Sequence, residues 1–162
     1  MPGDAPGPPE PATLVERLAG VRAAVAAAAG RVGRDAAAIR IIAVTKTYPA
    51  LVIGEALAAG LTDVGENYVQ EARAKRATVP AGATWHLIGG LQRNKVRAAV
   101  ALFDVVHTVD SAPLAAALGA AAGGRRLPVL IQVNVGGEGT KRGVPPEGVE
   151  GLARAVLKER GL

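Results

Sequence analysis

Cysteine is absent from this 162-residue sequence, and histidine occurs only as His86 and His107. The lack of thiols excludes disulfides, thiolate metal sites, iron–sulfur clusters and cysteine nucleophiles, and it fits a reducing compartment. Two histidines argue against a zinc centre, which usually takes three or four nitrogen or sulfur ligands. The sequence therefore predicts chemistry without thiols or a metal, and a cytoplasmic location.

Aromatic residues are equally scarce, at 2% of the chain, whereas hydrophobic residues make up 49%. A core must then be built from Ala, Val, Leu and Ile. This favours close packing of helices on a sheet over an aromatic-rich β-sandwich. The length suits one ordinary domain.

No hydrophobic run approaches the ~18 residues that a membrane span needs. The longest is the alanine-rich tract 23–29, and residues 1–9 lack the basic and leucine-rich regions of a signal peptide. We therefore expect a protein that does not enter the membrane.

Charge is not concentrated in any block, although 19 Lys and Arg against 14 Asp and Glu give a net charge of +5. The basic residues are scattered and have no aromatic residues between them on which bases could stack. We expect a solvated basic surface and no nucleic-acid partner. Binding of a small anionic ligand stays an open alternative.

Residues 1–12 are rich in Pro and Gly, which predicts a disordered tail followed by one domain over 13–162. Thr13 and Glu16 form a capping-box pattern at the start of a helix that runs to Gly30. Strands are predicted at 40–46, 61–64, 84–88, 104–109 and 127–135. Helices are predicted at 49–59, 67–76, 93–102, 111–122 (capped by Ser111) and 147–160.

This alternation is typical of serial β-α-β units, which form a parallel sheet with right-handed crossovers. Two architectures fit: an open doubly wound sheet, or part of a (β/α)8 barrel. The number of strands does not choose between them.

Polar residues follow each predicted strand, and in both architectures the carboxyl ends of the strands share one rim. That rim is the predicted functional site. The alternative is that these residues merely end strands and cap helices. The clusters are Thr45 to Thr47, Gly65 to Asn67, His86 with Gly89 to Lys95, His107 to Asp110, and Gln132 to Asn134 with Glu138 and Lys141.

Lys46 stands out because it ends an apolar run, and an ammonium that loses water without a partner is costly. It is either a functional amine or a solvated lysine. His86 is on its own a better candidate for a satisfied core histidine than for a ligand. Glu66 fits a general base or an ion-pair partner equally well, and Gly89-Gly90 is better explained as a turn than as a phosphate cradle.

Five motifs resemble, in order and spacing, the pyridoxal phosphate homeostasis proteins. This family is also described as the YggS or PROSC type and is related to the N-terminal barrel of alanine racemase. The resemblance covers about residues 13–160. The motifs are Ala43 to Thr47 (AVTKT), Gly65 to Glu71 (GENYVQE), His86 to Lys95 (HLIGGLQRNK), His107 to Asp110 (HTVD), and Gln132 to Asn134 (QVN) with Glu138, Lys141 and Gly143.

The resemblance implies a (β/α)8 TIM-type barrel that holds pyridoxal 5'-phosphate (PLP) as a Schiff base on Lys46, with Asn67, His86 and Asn134 lining the same mouth. It implies a cytoplasmic, monomeric homeostasis protein that sequesters PLP and passes it to PLP-dependent apoenzymes, without catalytic turnover. The alternative is a racemase-like PLP enzyme. Because the family continues for further strands, the barrel is expected to be truncated here to about five β/α units.

Overall fold

A computed structural model describes residues 13–162 and divides the chain into two compact units, the first ending at Ile41 and the second spanning Ile42–Leu162. The tail predicted for residues 1–12 lies outside the described residues. The single domain predicted over 13–162 stays a prediction.

The first unit is built on a helix, α1 (Leu14–Gly30), and a 3-10 turn at Ala36–Ala38. The predicted capping box is confirmed. The Thr13 N–H donates to Glu16 Oε2 (2.7 Å), and the Glu16 N–H donates to Thr13 Oγ1 (3.2 Å). These bonds satisfy two backbone donors that the first turn of the helix leaves unused.

Strands and helices alternate through the second unit, as the sequence predicts. The strands are β1 (Ala43–Val44), β2 (Asp63–Glu66), β3 (Thr84–Leu87), β4 (Val105–Val109) and β5 (Val129–Ile131). The helices are α2 (Ala50–Ala58), α3 (Val69–Arg76), α4 (Val96–Leu102), α5 (Ala112–Ala121) and α6 (Val149–Lys158). Among the described residues, no helix is long and apolar enough to cross a membrane.

The five strands form one parallel sheet in the order β1-β2-β3-β4-β5. A doubly wound sheet changes direction at a switch point, whereas a barrel adds its strands in sequence. Because parallel crossovers are right-handed, a sequential order puts the connecting helices on one face. The contacts of α3 with α4, α4 with α5 and α5 with α6 agree with this arrangement. The structure therefore has the barrel-type topology.

The two faces of the sheet differ in what they contact. Val64 and Trp85 are paired in the register and belong to the buried cluster that includes residues of the helices. Gly65 is paired with Val44 on one side and His86 on the other, one position further along. Since side chains alternate along a strand, Gly65 and His86 belong to the face away from the helices.

Some predicted bounds and one predicted cap were wrong. The strand predicted at 40–46 is observed only at Ala43–Val44. The strand predicted at 61–64 is observed as β2, which continues to Glu66 because this carboxylate is buried in an ion pair instead of meeting solvent. The strand predicted at 127–135 is reduced to Val129–Ile131. Pro128 before it has no N–H to donate, and after it the Gln132 carbonyl and the Asn134 N–H bond to Val144. Ser111 precedes α5, but its hydroxyl donates to Asp110 Oδ1 (3.1 Å) and does not cap the helix.

Candidate functional site

Lys46 lies in a tight turn directly after β1. The Tyr48 N–H donates to the Thr45 carbonyl oxygen (3.1 Å), so Lys46 and Thr47 are the two central residues of a β-turn. Thr47 has a φ of +67°, the left-handed value that type II turns require at this position and that glycine usually supplies. This conformation costs a β-branched residue about 1–3 kcal/mol in free energy. The turn carrying Lys46 is therefore strained.

The Lys46 side chain is exposed, and within residues 13–162 its ammonium has no hydrogen bond or ion pair. The amine therefore reaches water. A solvated lysine and a functional amine both fit this exposure. The turn nevertheless presents a primary amine on a defined backbone.

The buried lysine is Lys75, on α3. Its ammonium donates to three acceptors, each at 2.7 Å: the Thr45 carbonyl, Glu66 Oε1 and Glu71 Oε1. All three of its N–H bonds are used. We call Glu66, Glu71 and Lys75 the turn clamp, because their side chains hydrogen-bond to Thr45 and Thr47 of the turn.

Electrostatics within the turn clamp favour the charged forms of Glu71 and Lys75. The hydrogen bond from Lys75 is the main reason that the pKa of Glu71 is lowered. Burial alone would depress the pKa of Lys75, but the hydrogen bonds to Glu66 and Glu71 outweigh it, and the pKa is raised. The 2.7 Å contact shows Glu66 as an ion-pair partner of Lys75, one of the two roles that the sequence left open for it.

The sequence did not single out Lys75 or Glu71 as site residues. A local signal was available, since a glutamate four residues before a lysine on one helix is a favourable ion-pair spacing. That spacing does not reveal the partners on β1 and β2, which lie 30 and 9 residues away from Lys75 along the chain.

His86 lies in a hydrogen-bonded chain across three strands. Its Nε2 is 2.8 Å from Asp63 Oδ1, and its Nδ1 is 2.8 Å from His107 Nε2. An ionised carboxylate only accepts, so Nε2 of His86 donates to Asp63. In a neutral His86, Nδ1 then accepts from the Nε2–H of His107. This leaves Nδ1 of His107 as the acceptor at the end of the chain.

Both ring nitrogens of His86 are thus engaged, and the side chain is only 2% exposed. This geometry favours the satisfied core histidine. The assignment of His86 as a pocket residue stays a prediction, and any influence on a ligand would pass through His107. The pKa of His107 is lowered by burial, and further by the neighbouring His86.

Asn67 follows β2 and is half-buried. Gly89 approaches its backbone so closely that a Cβ on Gly89 would lie 2.6 Å from Asn67 Cα. Gly89 is therefore needed for close approach of the loops after β2 and β3. Asn67 also lines a cleft of about 300 Å³ together with Lys95 and Arg142, which places two cations near it.

Asn134 shapes the loop that follows β5. Its Nδ2 donates to the carbonyl oxygens of Glu138 (3.0 Å) and, more weakly, Lys141 (3.4 Å). Lys141 in turn donates to Glu138 Oε1 (2.6 Å) at the surface. The amide nitrogen of Asn134 is thus occupied within its own loop, and its place in a pocket stays a prediction.

The register brings part of the predicted rim together. Lys46 and Asn67 each lie two residues beyond the paired Val44 and Gly65, so both stand just past the carboxyl ends of neighbouring strands. Asn134 stands on the loop beyond the last strand. The arrangement offers the accessible amine of Lys46, a histidine chain and the cations Lys95 and Arg142 at the carboxyl ends of parallel strands, where barrel proteins place their sites.

Comparison with known proteins shows which family this chain resembles. The family model described as "Alanine racemase, N-terminal domain" matches residues 20–162. The pyridoxal phosphate homeostasis protein of Pseudomonas aeruginosa is 44% identical over 158 residues, covering 93% of this chain and 69% of the relative. That of Escherichia coli is 40% identical over 160 residues, covering 92% and 68%.

Among solved structures, PipY of Synechococcus elongatus with PLP bound matches with a TM-score of 0.75 and 37% identity, covering 92% of this chain and 66% of PipY. The form of PipY without PLP gives a TM-score of 0.80. The chain thus spans about two thirds of the length of these relatives, and its five-stranded sheet is the corresponding part of their parallel barrel. The chain belongs to the pyridoxal phosphate homeostasis protein family, which shares the fold of the alanine racemase N-terminal domain.

Proposed function

We propose that this chain binds PLP, with Nζ of Lys46 as the anchoring amine, and that it serves PLP homeostasis. The observation that carries the proposal is an exposed lysine amine, without a partner in the described part of the chain, on a defined turn after β1 in a relative of a protein whose structure contains PLP. PLP supplies an aldehyde, which condenses with a primary amine.

The residues at the site fit such a ligand. An amine can condense only when it is accessible and not held in an ion pair, and Lys46 meets both conditions, whereas Lys75 meets neither. Lys95 and Arg142 place positive charge beside Asn67, which favours an anionic ligand at this end of the sheet. Asn67, His86 and Asn134 are proposed as further pocket residues, with His86 acting through His107.

We further propose that the role is binding without turnover. A racemase needs a second acid/base group on the opposite face of the cofactor. Tyr48 belongs to the same turn as Lys46 and is 57% exposed, so it does not meet that need. PLP-dependent apoenzymes as recipients, a monomeric state and a cytoplasmic location complete the proposal. The relatives support its broader part, since they are named homeostasis proteins.

The test is covalent trapping. The chain is incubated with PLP, reduced with borohydride, digested, and each lysine peptide is quantified by mass spectrometry. We expect the label on the Lys46 peptide and its loss in Lys46→Arg, which keeps the charge but lacks a primary amine. Lys158→Arg is the matched control, because Lys158 is also exposed and has no ion pair among the described residues. Equal labelling of both peptides in the wild type would contradict the proposal.

Turnover is tested separately, by incubating the PLP-loaded protein with L-alanine in deuterated water. No deuterium at the α-carbon is expected. Steady incorporation that depends on Lys46 would favour the racemase-like alternative.

A further inference from the structure

We propose that Glu71 and Lys75 are positioning residues for Lys46, and that they hold its turn in the strained conformation that presents the amine at the end of β1. The inference rests on the proposed role of Lys46. It concerns residues on α3 whose side chains bond to the backbone on both sides of that lysine.

The first step is the contact to Thr47. Glu71 Oε1 accepts the Thr47 N–H at 2.6 Å, directly at the residue with the left-handed φ. A backbone N–H can reach this carboxylate only while the peptide keeps its orientation. The bond to a charged acceptor therefore offsets part of the strain that threonine brings to this position.

The second step is the contact to Thr45. Its carbonyl oxygen accepts both from Lys75 Nζ (2.7 Å) and from the Tyr48 N–H that closes the turn (3.1 Å). Lys75 thus fixes the first residue of the turn, while Glu71 fixes the third. Lys46, between them, has its backbone held from both sides.

The third step explains why the clamp is rigid. Glu66 is fully buried and its Oε1 accepts from Lys75 Nζ and from Thr45 Oγ1, each at 2.7 Å. Lys75 is also buried, with 8% of its side chain exposed. A buried ammonium with three acceptors cannot move without leaving a charge unpaired, so the clamp has one arrangement.

A salt bridge that merely stabilises α3 would not need hydrogen bonds to the backbone of Thr45 and Thr47. The Glu150–Arg154 pair on α6 has the same four-residue spacing, yet both of its side chains are more than 70% exposed, at 78% and 75%. It serves as the matched control for the charge pair alone.

The experiment compares Glu71→Ala in two backgrounds, wild type and Thr47→Gly. Glycine adopts a positive φ without strain, so the turn in Thr47→Gly does not depend on Glu71. Two quantities are measured: the Kd for PLP, and the hydrogen-exchange rate of the Tyr48 amide, which donates within the turn.

In the wild-type background, Glu71→Ala is expected to weaken PLP binding and speed exchange at Tyr48 by about tenfold, the size of one lost charged hydrogen bond. In Thr47→Gly, both effects are expected to stay below about threefold. Glu150→Ala should change neither quantity in either background, because its pair lies on α6.

Equal effects of Glu71→Ala in both backgrounds would overturn the positioning role, and so would no effect in the wild type. The exchange readout does not use the cofactor. A wild-type chain that binds no PLP would therefore defeat the proposed function, while the Tyr48 amide alone would still decide on the turn clamp.

Discussion

Thr47 adopts a backbone conformation that β-branched residues avoid, and it does so directly after the proposed anchoring lysine. Strained residues concentrate at functional positions, where the surrounding structure holds them in place. Here the Glu71 carboxylate does so through the Thr47 N–H. At the scale of single residues, the strain and the contact that compensates it mark the site more clearly than exposure does.

Thr47→Gly is expected to raise the free energy of unfolding by up to about 2.5 kcal/mol. The removed strain of about 1–3 kcal/mol exceeds the extra backbone entropy of glycine, about 0.5–1 kcal/mol. Urea denaturation of both proteins measures the difference. Thr140→Gly is the control, since Thr140 has no positive φ and should lose stability instead. A destabilised Thr47→Gly would show that the turn is not strained.

The lowered pKa of His107 predicts how the free energy of unfolding depends on pH. Its pKa is lowered in the native state by burial and by His86, so the unfolded chain binds the proton more readily. Stability is therefore complete above the ordinary histidine pKa of about 6.5 and falls as the pH drops through the lowered native value. The carboxylate of Glu71, whose pKa is also lowered, acts only at a more acidic pH.

The measurement is urea denaturation at pH 7.5 and 5.5. His107→Gln should flatten the change between these two values, because glutamine does not titrate. The same slope in both proteins would assign the pH dependence to other groups.

At the scale of elements, the loops after β2 and β3 depend on their close approach at Gly89. The Thr108 hydroxyl also donates to the Gly89 carbonyl oxygen (2.9 Å), which ties this loop to β4. The positions of Asn67 and of the cleft beside it follow from this contact. A side chain at Gly89 has no space unless the backbone moves.

Gly89→Ala is therefore expected to lower the free energy of unfolding by roughly 2 kcal/mol, the usual cost of overpacking. Gly54→Ala is the control, because Gly54 lies within α2 with no atom near its missing Cβ. Alanine there should stabilise the helix by about 0.5–1 kcal/mol. Thermal denaturation of both variants tests the expected loss of stability in Gly89→Ala and the expected gain in Gly54→Ala. A Gly89→Ala protein as stable as the wild type would refute the close contact.

At the scale of the whole molecule, five strands in sequential order form one continuous part of a parallel barrel. The proposed ligand binds where these strands end, so its binding is linked to folding of the sheet. A ligand that binds only the native state stabilises it, by about 2.7 kcal/mol when its concentration is one hundred times its Kd.

PLP is therefore expected to raise the melting temperature in proportion to the logarithm of its concentration. Pyridoxine 5'-phosphate, which has an alcohol in place of the aldehyde, should raise it less, and Lys46→Arg should remove the difference between the two compounds. An equal shift by both ligands in the wild type would show that Lys46 contributes no covalent anchor. Differential scanning calorimetry provides the measurement.

Much of the architecture could be predicted because its signals are local. The capping box at Thr13 and Glu16 and the alternation of strands and helices arise from residues within a few positions of each other. The position of Lys46 at the end of the first strand follows from the same pattern. The family, too, was recognisable from short motifs.

The contacts that give the site its properties could not be predicted in this way. Lys75 reaches Thr45 over 30 residues, and His86 reaches Asp63 over 23 and His107 over 21. Such pairs depend on strand order and register, which a pattern of hydrophobic residues leaves open. The amino-acid order established which lysine ends a strand and which elements surround it. Only the packed sheet decided that Lys46 is exposed while Lys75 is buried, because the burial of a charge depends on partners that tertiary contacts supply.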